Sequence, residues 1–114
     1  DLQSDAKKAG LPWSVAKGFD GFAPISSFIP FSEVSDSALK VELTVNDTVR
    51  QSGTTDQMIF SFEELIVYLS SIFTLQPGDL IFTGTPAGVS AIEPGDNVTA
   101  KLSEHNLSVS VNIQ

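Results

Sequence analysis

Strict alternation in two stretches limits what this chain can fold into. Leu39, Val41, Leu43 and Val45 alternate with Lys40, Glu42 and Thr44, and Leu107, Val109, Val111 and Ile113 alternate with Ser108, Ser110 and Asn112. A period of two sends the apolar side chains to one face of an extended backbone, so each run reads as a strand with one face to be covered. Asn46-Asp47 follows the first run, and both residue types tolerate left-handed φ. That predicts a two-residue hairpin turn, with residues 48–52 returning as the partner strand. Residues 53–57 are polar and loop-like, whereas 97–102 read as a strand with Val98, Ala100 and Leu102 inward, turning over 103–106 into the last one.

Residues 61–73 carry the clearest helical pattern. Ser61 and Glu64 have the spacing of a capping box, and Phe60 can staple onto Leu65. Phe62, Leu65, Ile66, Leu69, Ile72 and Phe73 trace one apolar stripe, which reads as core-facing packing rather than a cofactor box. Residues 1–9 read as a second, short helix, with Asp1 and Asp5 early, Lys7 and Lys8 late, and Gly10 as the stop. The sum is a mainly β chain of the α+β class with one or two helices, in a rolled sheet or barrel.

Gln76-Pro77-Gly78-Asp79 and Glu93-Pro94-Gly95-Asp96 are near copies, each a Pro-Gly turn feeding a predicted strand. After the first, Leu80, Ile81 and Phe82 form an unbroken apolar run that predicts a strand covered on both faces. It stops in Thr83-Gly84-Thr85-Pro86-Ala87-Gly88. Gly84 lets the chain bend and lets a ligand approach the backbone, while Pro86 biases Thr85 toward an extended conformation and so aims its hydroxyl. Such a corner suits the carboxylate or enolate oxygens of a small acid; it equally fits a plain strand-to-loop turn.

Residues 11–30 have no clean period and mix Pro12, Trp13, Phe19, Phe22 and Pro24 with a single cation, Lys17. Residues 25–29 are predicted to close this loop as a strand. Lys17 reads either as a partly desolvated ammonium that stabilises anionic oxygens or as a snorkelling surface lysine. Asp20 either orients Lys17 or caps the Gly21 turn, and Gln3 either reaches the same ligand or is solvated. Trp13 reads as a packing anchor, and His105, in a Ser-Glu-His-Asn turn, as exposed and inert.

The 114 residues suffice for one domain or less. A helix opening so abruptly predicts a further segment upstream. A net charge of −8 disfavours nucleic acid as a partner. No apolar stretch nears the ~20 residues of a membrane span. Without cysteine there is no disulfide framework or thiol nucleophile, which fits the cytosol. Asp1 and Asp5 lie one helical turn apart, but no further acid completes a metal site, and Glu63-Glu64 and Glu33/Asp36 read as solvated charge.

Three collinear stretches together resemble the fumarylacetoacetate hydrolase family in its small single-domain branch, which includes acylpyruvate hydrolases, oxaloacetate decarboxylases and diene-dioate isomerases. They are Asp1-Leu2-Gln3 through Gly10-Leu11-Pro12-Trp13-Ser14-Val15-Ala16-Lys17-Gly18-Phe19-Asp20, then Arg50-Gln51 with Met58-Ile59-Phe60-Ser61, then Gly78 through Val89. The resemblance implies a mixed β-roll, incomplete here, with residues 1–114 as the C-terminal portion of one catalytic domain. It implies a homodimer and a Mg2+ or Mn2+ ion holding a small 2-oxo acid, in the cytoplasm or, in a eukaryote, the mitochondrion. It makes Lys17 catalytic and Gln3, Gly84 and Thr85 substrate-binding. The metal carboxylates, an arginine and a lid with a His/Glu dyad are expected upstream of Asp1. Gly18 and Gly21 replace hydroxyl residues common in the family after the lysine. The implied activity is C–C bond cleavage in a 2-oxo or 2,4-dioxo acid, as acylpyruvate hydrolysis or oxaloacetate decarboxylation. Isomerisation of a hydroxy-diene dioate and a non-catalytic β module for dimerisation or binding are the alternatives.

Overall fold

The alternating runs form a four-stranded antiparallel sheet in the computed structural model, which describes residues 2–34 and 38–114. Strands β1 (Lys40–Val45), β2 (Thr48–Thr54), β3 (Asn97–Leu102) and β4 (Leu107–Asn112) are ordered β2-β1-β3-β4. Val45 pairs with Thr48 across Asn46 and Asp47, whose φ angles of 48° and 63° make the two-residue turn whose twist matches the flanking strands. The β1–β3 pairing joins residues far apart in sequence, Val41 opposite Leu102 and Val45 opposite Val98. The sheet is open, and all three pairings are antiparallel.

Among the described residues three α-helices accompany it: α1 (Leu2–Lys8), α2 (Ser14–Lys17) and α3 (Phe62–Ser70). The end of α1 shows why Gly10 is needed. With φ of +65° at Gly10, its N–H reaches the Lys7 carbonyl at 3.3 Å and the Leu11 N–H reaches Ala6 at 2.9 Å, the paired bonds of a Schellman motif. At the start of α3, the Glu64 N–H donates to Ser61 Oγ at 3.2 Å and the Ser61 N–H to Glu64 Oε2 at 2.7 Å, so the capping box forms as its spacing predicts. The helix ends at Ser70, three residues before the predicted end, although Ile72 and Phe73 still donate to Leu69.

The two Pro-Gly-Asp turns close identically. In each, the aspartate N–H returns to the first residue's carbonyl at 3.0 Å and its carboxylate accepts that residue's N–H at 2.8 Å. Asp96 does more. It also accepts from Asn46 Nδ2 at 2.7 Å, while the Asn97 N–H donates to Asn46 Oδ1 at 2.9 Å, which ties the β1–β2 turn to the start of β3. The Glu93 N–H, the Asn46 amide and the charge of Arg50 outweigh slight desolvation and hold the Asp96 carboxyl below the usual range.

Four expectations need correction. Residues 80–82 form no strand, because no strand runs beside them among the described residues; Phe82 is 69% exposed. Residues 25–29 are likewise unpaired, with Phe28 outside any core. The loop expected over 53–57 instead extends β2 to Thr54 and then forms a 3-10 turn, Thr55–Gln57, whose Gln57 side chain caps the Thr54 N–H at 3.0 Å. His105 is half-buried, with its Nε2 shielded from water and unpartnered. Asp1 and Asp36 lie outside the described residues.

Among the hydrophobic residues described, Val45 alone is buried. The accessible surface is 8986 Å², against roughly 6,000 Å² for a folded monomer of this mass. The radius of gyration is 15.6 Å, against about 13 Å for a compact domain of this length. The predicted core stripe of α3 is in fact half open. Phe62 and Ile66 border an apolar cavity of about 590 Å³ together with Phe31, Leu39 and Ile81. Apolar area on this scale is unstable in water unless something covers it.

Two outcomes follow. The 114-residue chain alone should bind a hydrophobic dye strongly and associate as its concentration rises, read by fluorescence and light scattering; a dye-silent monomer would contradict the open packing. Asp96 supplies the pH dependence. Because its folded pKa is depressed, its contribution is present above the unfolded value of about 3.9 and lost as pH falls through the lower folded value. In the complete protein, Asp96→Asn should therefore lower the urea midpoint at pH 7, and the gap to the parent should narrow at pH 3.

Candidate active site

The predicted site residues fall on two pieces of structure. Gln3 lies in α1 and Lys17 ends α2, and these two helices pack against each other. Both side chains are exposed. The aromatic loop does not bury Lys17, since Trp13 and Val15 are 45% and 71% exposed and nothing seals them from outside. Asp20 makes no ion pair with Lys17, and the Gly21 turn is closed by backbone, Phe22 N–H to the Phe19 carbonyl at 3.1 Å. Phe19 and Phe22 stack at a tilt, 5.2 Å between centroids.

The second piece is the corner at residues 83–88. It owes its shape to an irregularity in β2. Leu43 pairs with Gln51 but Thr44 pairs with Val49, so Arg50 is an extra residue in a β-bulge. Beyond the bulge, Gln51 and Gly53 share one face of the strand, and the corner lies on them. Gln51 Nε2 donates to Thr85 Oγ1 at 2.9 Å and to the Pro86 carbonyl at 2.8 Å. Gly53 leaves the space that Pro86 occupies, because a Cβ there would stand 2.8 Å from the proline Cβ. Gly88, with φ of +104°, passes so close to the bulge that a Cβ would overlap the Arg50 carbonyl oxygen.

Gly84 contrasts with both. Its φ is +107°, yet apart from its own chain neighbours nothing lies within 4 Å of where its Cβ would be. Thr83 lines the apolar cavity beside α3. Thr85 is thus held from β2 and exposed to solvent. Gln51 is the residue that sequence reasoning left without a role. It stood inside a matching stretch, but only the bulge aims its amide at the corner.

Among the described residues, no hydrogen bond or ion pair joins the Gln3–Lys17 piece to the Gly84–Thr85 corner, and none of these four residues lines the apolar cavity beside α3. No three His, Asp or Glu side chains come together as a cation site among the described residues. None of the described helices is long and apolar enough to cross a membrane.

The model of the fumarylacetoacetate (FAA) hydrolase C-terminal region matches residues 1–111. A mitochondrial oxaloacetate tautomerase of Oryza sativa subsp. japonica is 50% identical over 88% of this chain and 45% of its own length. A mitochondrial oxaloacetate decarboxylase of Dictyostelium discoideum is 50% identical over 83% of this chain and 44% of its own. The crystal structure of fumarylpyruvate hydrolase from Pseudomonas aeruginosa, in complex with Mn2+ and pyruvate, superposes with a TM-score of 0.91 at 39% identity, over 99% of this chain and 48% of that one. The chain spans about half the length of the curated relatives it matches.

The packing at the bulge sets a test. In the complete protein, Gly88→Ala should cost at least about 2 kcal/mol, from backbone strain and forced displacement of the Arg50 carbonyl. Gly84→Ala, with open space around it, should cost only the strain. Equal melting temperatures for the two variants would contradict the docked corner.

Proposed function

This chain belongs to the fumarylacetoacetate hydrolase family, and from that premise we propose that it supplies part of the active site of an enzyme acting on a small 2-oxo or 2,4-dioxo acid. The observation that carries the reading is the chemistry shared by its relatives. Oxaloacetate tautomerisation, oxaloacetate decarboxylation and fumarylpyruvate hydrolysis all place negative charge on the oxygen of a 2-oxo acid enolate. A site that stabilises this enolate serves all three. C–C bond cleavage is the leading activity, and the names of the relatives favour a keto–enol proton shift as the second. Isomerisation of a diene dioate uses the same charge.

In this reading the Lys17 ammonium faces the developing enolate, the Thr85 hydroxyl donates to a substrate oxygen, and the Gln3 amide binds a second one. The open space at Gly84 admits the ligand to the corner. Preorganised donors of this kind lower the barrier because they need not reorient as charge develops. A divalent ion, Mg2+ or Mn2+, belongs to the proposal as the group that polarises the 2-oxo oxygen. The described residues do not by themselves fit such an ion, since no acidic or imidazole cluster forms among them. Its ligands are proposed to lie in sequence preceding Asp1, in a catalytic domain of which residues 1–114 form the C-terminal portion. A homodimer, in the cytosol or in a mitochondrion, is part of the same proposal.

The test is steady-state kinetics of the complete protein with oxaloacetate, following enol loss and CO2 release separately. Lys17→Ala should lower kcat by about 10²–10³-fold and change KM much less. Unchanged turnover would remove Lys17 from the chemistry.

A further inference from the structure

We infer that Gln51 is a positioning residue that fixes the Thr85 hydroxyl as a hydrogen-bond donor toward the ligand. The inference rests on the reading of Thr85 as substrate-binding, and its evidence is the geometry of one amide. A peptide carbonyl can only accept, so the Gln51 atom 2.8 Å from the Pro86 oxygen must be the NH2 nitrogen. The same nitrogen lies 2.9 Å from Thr85 Oγ1. Its two protons serve the two oxygens, one each.

Thr85 Oγ1 therefore accepts from Gln51, and its own proton cannot point back along that line. Among the described residues no protein acceptor takes that proton, and Thr85 is exposed to solvent. A hydroxyl with an occupied lone pair and a free proton beside open space is set to donate to an anionic oxygen. The polarity is held from a rigid element. Gln51 sits in the ladder opposite Leu43, directly after the bulge, and its second bond to Pro86 keeps the amide from rotating. Removing the amide would leave the hydroxyl free to turn its lone pairs toward the ligand.

Oxalate, a small dianion resembling a planar enolate, serves as the probe, with its affinity for the complete metal-loaded protein measured by calorimetry. Thr85→Val should weaken oxalate binding by roughly 10–100-fold, the loss of one hydrogen bond to a charged group. Gln51→Met should weaken it several-fold in the parent and add nothing in the Thr85→Val background. Equal losses from Gln51→Met in both backgrounds would overturn the inference, because Gln51 would then act through general packing. Full affinity in Thr85→Val would overturn the reading of Thr85 itself, and the inference with it.

Gln51→Glu keeps the shape and gives a second readout if Gln51→Met fails to fold. An ionised carboxylate accepts the Thr85 proton and reverses the hydroxyl, whereas a protonated one has a single O–H that can donate to Thr85 but not to Pro86 at the same time, so its recovery is partial. Its oxalate affinity, relative to the parent at each pH, should recover as the pH is lowered through the carboxyl's titration. A pH-independent ratio would count against the inference.

Discussion

The amide of Gln51 ties the corner at residues 83–88 to β2 through hydrogen bonds of 2.9 and 2.8 Å, and the missing side chains of Gly53 and Gly88 let the loop close onto the strand. Each bond is worth only about 0.5–1.5 kcal/mol net. Their structural effect is larger, because the bulge at Arg50 sets which face Gln51 presents. Without the extra residue, the side chains beyond it would alternate to the opposite face and the corner would lose its anchor. The Thr85 hydroxyl is thereby oriented from the sheet, and the sheet in turn is held through Asn46, Asp96 and Asn97 at the turn that follows β1.

The open apolar faces give the same geometry a different meaning. Helix α3, Leu39 just before β1 and Thr83 of the corner border one cavity with Phe31 and Ile81, yet Phe31 and Phe62 remain exposed. Lys17 and Gln3 stand on α2 and α1, both exposed, and among the described residues no hydrogen bond or ion pair joins them to the corner. Burial would raise the cost of an unpaired ammonium and strengthen its attraction to an enolate, so the electrostatic value of Lys17 depends on what covers the aromatic loop. In the proposed enzyme, whatever covers these faces also sets how strongly Lys17 attracts the enolate.

Local chemistry was legible in the chain. Asn46-Asp47, the Ser61/Glu64 box, the Gly10 stop and the two Pro-Gly-Asp turns each satisfy their own backbone groups within a few residues, so each took its predicted form. Features that depend on a distant partner were not legible. Leu80, Ile81 and Phe82 have a strand's composition, but a strand needs another beside it. The bulge exists only in the pairing of β1 with β2, so Gln51 gave no signal. Whether Lys17 is desolvated or snorkels could not be decided from its apolar neighbours, because apolar neighbours are buried only when something packs on them. His105 was misjudged for the opposite reason, since the hairpin turn folds its ring inward.

The central claim is that a cation on α2 and a strand-anchored hydroxyl act on one small dicarbonyl acid. A crystal structure of the complete protein with bound oxalate tests it most directly. The account predicts Lys17 Nζ and Thr85 Oγ1 both within hydrogen-bonding distance of the same oxalate ion, with Gln51 still donating to Thr85. Oxalate bound elsewhere, or touching neither side chain, would contradict it.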